Sequence, residues 1–242
     1  MKAVILVGGP GTRLRPLTYV VPKCLLPVGG KPLLERTMRY LEGYGIKDFV
    51  LCVAYLKKQI IDTFGDGSSL KLRIEYAEAD SPLGTAGQLK TAAKHVDGPF
   101  VAMNGDIVTN LNIDRLVVTH KKFGGIATIA LKEFGVKVPY GHVVLGDSGS
   151  VTAFEEKPTL NYMANAGIYV MEPRLLDFIP EGRPSSLETE VFPGLISKGE
   201  KVGSYYEPAY WADVGSMADF ERVNNEALSD PSIVAPPGPE SI

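Results

Sequence analysis

Lys2-Ala3-Val4-Ile5-Leu6-Val7 runs without a break into Gly8-Gly9-Pro10-Gly11-Thr12-Arg13-Leu14-Arg15-Pro16, with Pro22-Lys23 and Leu25-Leu26-Pro27 close behind. An apolar, β-branched run with no polar alternation reads as a strand covered on both faces. Three glycines at its end let backbone N–H groups reach a ligand with no Cβ in the way, and Arg13, Arg15 and Lys23 put positive charge beside them. The combination suits a phosphate-bearing ligand.

Two familiar glycine-loop chemistries fail on the letters. A dinucleotide fingerprint needs G-x-G-x-x-G, but Gly9-Pro10-Gly11-Thr12-Arg13-Leu14 ends in leucine, which argues against hydride transfer. A Walker A loop ends in Gly-Lys-Ser/Thr, whereas Gly11 leads into Thr12-Arg13 and the lysine comes only at Lys23.

Further apolar runs at Asp48–Val53, Leu72–Ala77, Pro99–Met103 and Ile126–Leu131 predict strands. Helical spacing falls between them at Pro32–Leu41, Leu56–Phe64 and Thr85–Val96, each followed by glycine. This alternation predicts an α/β fold, a Rossmann-like and mainly parallel mixed sheet flanked by helices, with ligands at the carboxyl ends of the strands. His142–Leu145 and Val151–Phe154, joined by Gly146-Asp147-Ser148-Gly149, predict a small antiparallel insertion that covers a second substrate. Ser185-Ser186-Leu187-Glu188 has capping-box spacing ahead of a helix that Pro193 shortens or kinks, and Ser216 should cap a closing helix to Leu228. We expect one domain over 1–230 and a flexible or extended proline-rich tail over 231–242.

The chain has 242 residues, 45% hydrophobic content and a net charge of −3, enough for a sizeable core and without the basic runs of a nucleic-acid footprint. No apolar stretch approaches the ~20 residues that span a bilayer and no signal-peptide pattern opens the chain, so a soluble, cytoplasmic protein is expected, with homo-oligomerisation left open. Cys24 and Cys52 cannot form a disulfide framework, and His95, His120 and His142 have neither triad nor metal spacing.

The glycine loop, with Lys31-Pro32 after it, resembles the signature of the sugar-1-phosphate nucleotidylyltransferases, or nucleotide-sugar pyrophosphorylases. The resemblance continues through Pro82-Leu83-Gly84-Thr85-Ala86-Gly87, Asn104-Gly105-Asp106, Tyr140-Gly141, Glu155-Glu156-Lys157-Pro158, Asn165-Ala166-Gly167-Ile168-Tyr169 and Trp211-Ala212-Asp213-Val214-Gly215, in the family's order and up to about Leu228. It implies attack of a sugar-1-phosphate oxygen on the α-phosphorus of a nucleoside triphosphate, with pyrophosphate leaving. The nucleophile is already an anion, so the task is charge neutralisation and alignment.

By that resemblance, Arg13 binds the triphosphate with the amides of Gly8, Gly9, Gly11 and Thr12, and Lys23 neutralises the α-phosphate. Leu6, Pro82, Gly84 and Thr85 would complete the nucleotide side. Lys157 would hold the sugar phosphate, with Asn104, Gly141, Glu156 and Asn165 around the sugar. Asp106 and Asp213 would share Mg²⁺, a hard cation that takes one or two carboxylates besides phosphate oxygens. Cys24 stands where many relatives have proline; it is either a thiol that makes activity sensitive to alkylation or a small side chain filling a loop contact. Longer relatives carry a hexapeptide-repeat β-helix, and no such repeat occurs here.

Pro82-Leu83-Gly84-Thr85-Ala86-Gly87, Asn165-Ala166-Gly167-Ile168-Tyr169 and Ser186-Leu187-Glu188-x-x-Val191-Phe192-Pro193 resemble the mannose-1-phosphate guanylyltransferase branch. Glu78, Ala79, Asp80 and Ser81 stand where pyrimidine-specific relatives commonly place a glutamine. The alternatives are a thymidylyl- or uridylyltransferase acting on glucose-1-phosphate and a non-catalytic nucleotide-sugar-binding regulator. The regulator should have lost part of the set Arg13, Lys23, Asp106, Lys157 and Asp213, all of which are present.

Overall fold

The computed structural model describes residues 1–235. In chain order its strands are β1 (Lys2–Leu6), β2 (Pro27–Val28), β3 (Lys31–Pro32), β4 (Asp48–Val53), β5 (Arg73–Glu78), β6 (Phe100–Asn104) and β7 (Ile107–Thr109). They continue with β8 (Ala127–Lys137), β9 (His142–Leu145), β10 (Val151–Glu155), β11 (Thr159–Met171), β12 (Val202–Tyr206) and β13 (Trp211–Asp213). The α-helices are α1 (Leu33–Gly43), α2 (Lys57–Phe64), α3 (Gly84–Thr91), α4 (Ile113–Phe123), α5 (Phe192–Ser197) and α6 (Met217–Ser229).

Seven strands form the central sheet in the order β12-β8-β11-β6-β1-β4-β5. β1 pairs in parallel with β4 and β6, and β4 with β5, while β11 runs antiparallel to both β6 and β8. The unbroken apolar letters of β1 have a direct cause. Ala3 and Ile5 pack into one core with Leu34, Met38 and Ile60 from α1 and α2, whereas Val4 and Leu6 pack into a second core with Ala86 and Leu89 from α3 and Leu195 from α5. Both faces are covered, so neither face needs polar residues.

The predicted hairpin is present: β9 and β10 pair antiparallel, and every residue in the two strands is exposed. β8 runs on to Lys137, well past the predicted Leu131, because its outer half pairs with the outer half of β11. Helix α3 ends at Thr91, and a tighter turn over Ala93–His95 replaces the rest of the predicted Thr85–Val96 helix. The cap expected at Ser185 belongs to Ser186, whose hydroxyl accepts from the N–H groups of Glu188 and Thr189. A π-turn over Leu187–Val191 follows, and α5 begins beside Pro193. Ser216 does cap α6, reciprocally with Asp219.

The expected flexible tail is corrected in part. Pro231–Val234 form a 3₁₀ turn whose start Asp230 caps through Ser232 N–H, and Ile233 is buried. Residues 236–242, the remainder of that expected tail, lie outside the described residues.

Candidate active site

The loop after β1 borders a pocket of about 300 Å³ at the carboxyl ends of β1 and β6. Gly11 has φ +58°, and a Cβ there would stand 3.1 Å from both Lys23 Cβ and Thr18 Cγ2, so the turn requires glycine. The Thr18 hydroxyl donates to the Gly11 carbonyl at 2.8 Å and fixes the return of the chain. Arg13, in a single 3₁₀ turn over Thr12–Leu14, is exposed, lines the pocket and makes no ion pair or side-chain hydrogen bond among the described residues. Lys23 lines the same pocket and donates to Asp106 at 2.5 Å.

Asp106 and Asp213 are neighbours by construction. β13 pairs antiparallel with β7 so that Asp213 lies opposite Ile107, and Val214 N donates to the Asp106 carbonyl at 2.8 Å. A Cβ added at Gly215 would lie 2.5 Å from Asp213 Oδ2 and 3.0 Å from the Arg13 guanidinium nitrogens, so glycine there lets the carboxylate and the cation converge. Partial burial raises the pKa of Asp213, the negative charges of Asp106 and Asp219 raise it further, and Lys23 and Arg13 oppose them.

The Asn165-Ala166-Gly167 motif forms the irregularity at which β11 leaves strict register with β8. Asn165 Oδ1 accepts from Gly167 N at 2.8 Å, its Nδ2 donates to the Tyr169 hydroxyl at 2.7 Å, and Trp211 Nε1 donates to the Ala166 carbonyl at 2.8 Å. Gly167 has φ +68°, and a Cβ there would stand 2.6 Å from Asn104 Nδ2. Asn104 lines the pocket with its Oδ1 buried and unpartnered among the described residues.

Of the residues expected to act together, the pocket lining includes Leu6, Gly9, Gly11, Thr12, Arg13, Lys23, Thr85, Asn104 and Asp106. Gly8, Pro82, Gly84, Gly141, Glu156, Lys157, Asn165 and Asp213 lie outside that lining. Gly141 packs on the Phe154 ring and close to the Glu156 carboxylate, and the exposed Lys157 has φ +49° in the turn after β10. These three belong to the hairpin side of the molecule.

One expectation is corrected: Gly8 does not offer its amide to a phosphate, because that N–H donates to Gln88 Oε1 at 2.8 Å. Gln88 lines the pocket, and the sequence reading passed over it because one glutamine inside Ala86-Gly87-Gln88-Leu89 matches no motif. Gly84 packs its φ +70° backbone against the Ser185 carbonyl, which accepts from Ala86 N and Gly87 N at the start of α3. Glu188, previously only a helix-start residue, accepts from Thr85 Oγ1 at 2.8 Å and stands 3.5 Å from the Tyr169 hydroxyl. Cys24 is buried with its thiol pushed up to about 12 by desolvation, which favours the loop-filling reading.

Residues 2–230 match the nucleotidyl transferase family. The chain belongs to that family. Among similar members, the mannose-1-phosphate guanylyltransferase of Mycobacterium tuberculosis is 38% identical over 227 residues, covering 92% of this chain and 63% of the relative. The UTP–glucose-1-phosphate uridylyltransferase of Synechocystis is 33% identical over 247 residues, covering 95% and 64%. The chain thus spans somewhat under two thirds of these curated family members. HddC from Yersinia pseudotuberculosis complexed with GMP-PN superposes with a TM-score of 0.74 at 25% identity, covering 93% of this chain and 98% of that one. A putative glucose-1-phosphate thymidylyltransferase from Bacillus anthracis, in complex with a sucrose, gives 0.76 at 25% identity, covering 94% and 95%. Mainly parallel sheet, flanking helices and antiparallel insertion are therefore features of a nucleotide-diphospho-sugar transferase fold.

Proposed function

We propose that the chain transfers a nucleoside monophosphate from a nucleoside triphosphate to a sugar-1-phosphate, with GTP and mannose-1-phosphate as the leading pair. The observation that carries this reading is the Arg13 guanidinium on a glycine loop, without an ion pair among the described residues and facing two adjoining carboxylates and Lys23. A sugar-phosphate oxygen forms a bond to the α-phosphorus while the bond from that phosphorus to the bridging oxygen of the leaving pyrophosphate breaks. No proton has to be removed from the nucleophile, so the site has no need of a serine, cysteine or histidine base. Arg13 takes the charge that grows on the departing pyrophosphate. Lys23, neutralised by Asp106 at 2.5 Å, exchanges that partner for the α-phosphate when substrates enter.

Asp106 and Asp213 suit a hard divalent cation such as Mg²⁺. Both donors are oxygen, and the Asp213 carboxyl, whose pKa is raised first by burial and then by the charges of Asp106 and Asp219, gains from a positive charge beside it. Two carboxylates are what a hard cation takes from the protein when phosphate oxygens and water complete its shell. When bound, such an ion supplies charge neutralisation at the transferring phosphoryl group. We assign Lys157, Glu156 and Gly141 to the sugar-phosphate side, where the hairpin stands over the substrate, and the unpartnered Asn104 Oδ1 to a substrate hydroxyl.

The relatives' names support the leading pair, and a glucose-1-phosphate transferase remains the second reading because uridylyl- and thymidylyltransferases are among the similar proteins. No helix among the described residues is long and apolar enough to cross a membrane. The test is pyrophosphate release with Mg²⁺, with GTP, UTP, dTTP, ATP and CTP each crossed with mannose-1-phosphate and glucose-1-phosphate. We expect release that requires both substrates and is strongest with GTP and mannose-1-phosphate, and Arg13→Ala should lower kcat ~10²–10³-fold. Wild-type turnover in Arg13→Ala would sink the assignment.

A further inference from the structure

The pocket lining is divided in character. Arg13, Lys23 and Asp106 carry its charge, whereas Leu6, Thr85 and Gln88 form an uncharged wall. Gln88 lies one turn into α3 and is only 7% exposed. A backbone N–H can only donate, so the bond from Gly8 N identifies which end of the Gln88 amide is oxygen. Its Nε2 has no hydrogen-bond partner among the described residues. On a side chain that lines the pocket, an accessible nitrogen with two hydrogens and no protein acceptor can donate to a ligand.

We propose that Gln88 selects the nucleobase. With its oxygen already accepting from Gly8, the free Nε2 is the group the side chain offers to a ligand, so it favours a base edge that presents a carbonyl: guanine O6, or uracil and thymine O4. Adenine and cytosine present an amino group at that place, and donor would meet donor. A pocket built to hydrogen-bond a substrate group rejects an analogue lacking it far more strongly than an apolar wall does. The proposal rests on the nucleotidyl-transfer reading only in placing the nucleoside at the uncharged wall. It adds the residue that discriminates among bases.

Gln88→Glu keeps an acceptor for Gly8 N–H but turns the ligand-facing donor into an acceptor, while Gln88→Met keeps the bulk and removes both functions. Calorimetric Kd values for GTP, ITP and ATP at pH 8 would be measured on the full chain, alongside pyrophosphate release. ITP retains O6 without the 2-amino group and so isolates the contact. The wild type should bind GTP and ITP alike and ATP about 10-fold or more weakly, and Gln88→Glu should shrink or invert the GTP/ATP ratio by about 10-fold or more. Equal wild-type affinities for GTP and ATP, or an unchanged ratio in folded Gln88→Glu, overturn the proposal. A ratio that moves in a protein without turnover supports Gln88 and sinks the catalytic reading; turnover with an unmoved ratio does the reverse.

Discussion

Asp213 sits in an electrostatically unfavourable place. Its folded-state proton affinity exceeds that in the unfolded chain, first through burial and then through Asp106 and Asp219. The folded state therefore holds the proton more tightly, and stability falls as pH rises from the ordinary carboxylate value, about 4, through the raised one. Asp213→Asn should raise Tm at pH 7 by a degree or two, ~1 kcal/mol or less once solvent screening is allowed for. The gain should vanish in melts below about pH 4, and turnover should be lost. A lowered Tm at pH 7 would show that the carboxylate is held by bonds that outweigh its repulsion. The cysteines give a second residue-level expectation. Cys24 and Cys52 are buried, with both thiols pushed up to about 12, so neither should react with iodoacetamide at pH 7.5 until denaturant is added. Selective labelling of native Cys24 would mean that the loop opens.

Elements meet at the site through a few close backbone approaches. A Cβ at Gly84 would stand 2.4 Å from the Ser185 carbonyl at φ +70°, so Gly84→Ala strains the backbone and drives α3 from the 185–188 segment. We expect a loss of about 1–3 kcal/mol, read as a lower denaturation midpoint, with weaker nucleotide binding because Thr85 and Glu188 separate. An unchanged midpoint would show that the segment yields freely. The same scale explains what could be read from letters. β1, β4 and β6 were legible because each is covered on both faces, and α6 because Ser216 and Asp219 form its box. β7 and β13 are three residues each, too short for any period, and their pairing depends on contacts about a hundred residues apart. Helix α4, which the sequence analysis does not predict, is bracketed by readable signals, Asn112 at its start and Gly124 at its end.

Across the whole molecule, the glycine-loop end of the candidate site was the legible part, since its charge and glycines lie in one stretch from Gly8 to Lys23. Gln88 was not, because its meaning depends on which backbone group of another element it meets. The β7–β13 ladder shows how the parts depend on one another. β1, its loop, α3 and β6 lie within the first 106 residues, but the second carboxylate comes from a strand completed only at residue 213. Every growing chain must therefore be extended by just over a hundred residues beyond Asp106 before its two carboxylates can meet. Synthesis itself separates a stage with the glycine loop and one carboxylate from a stage with the complete carboxylate pair.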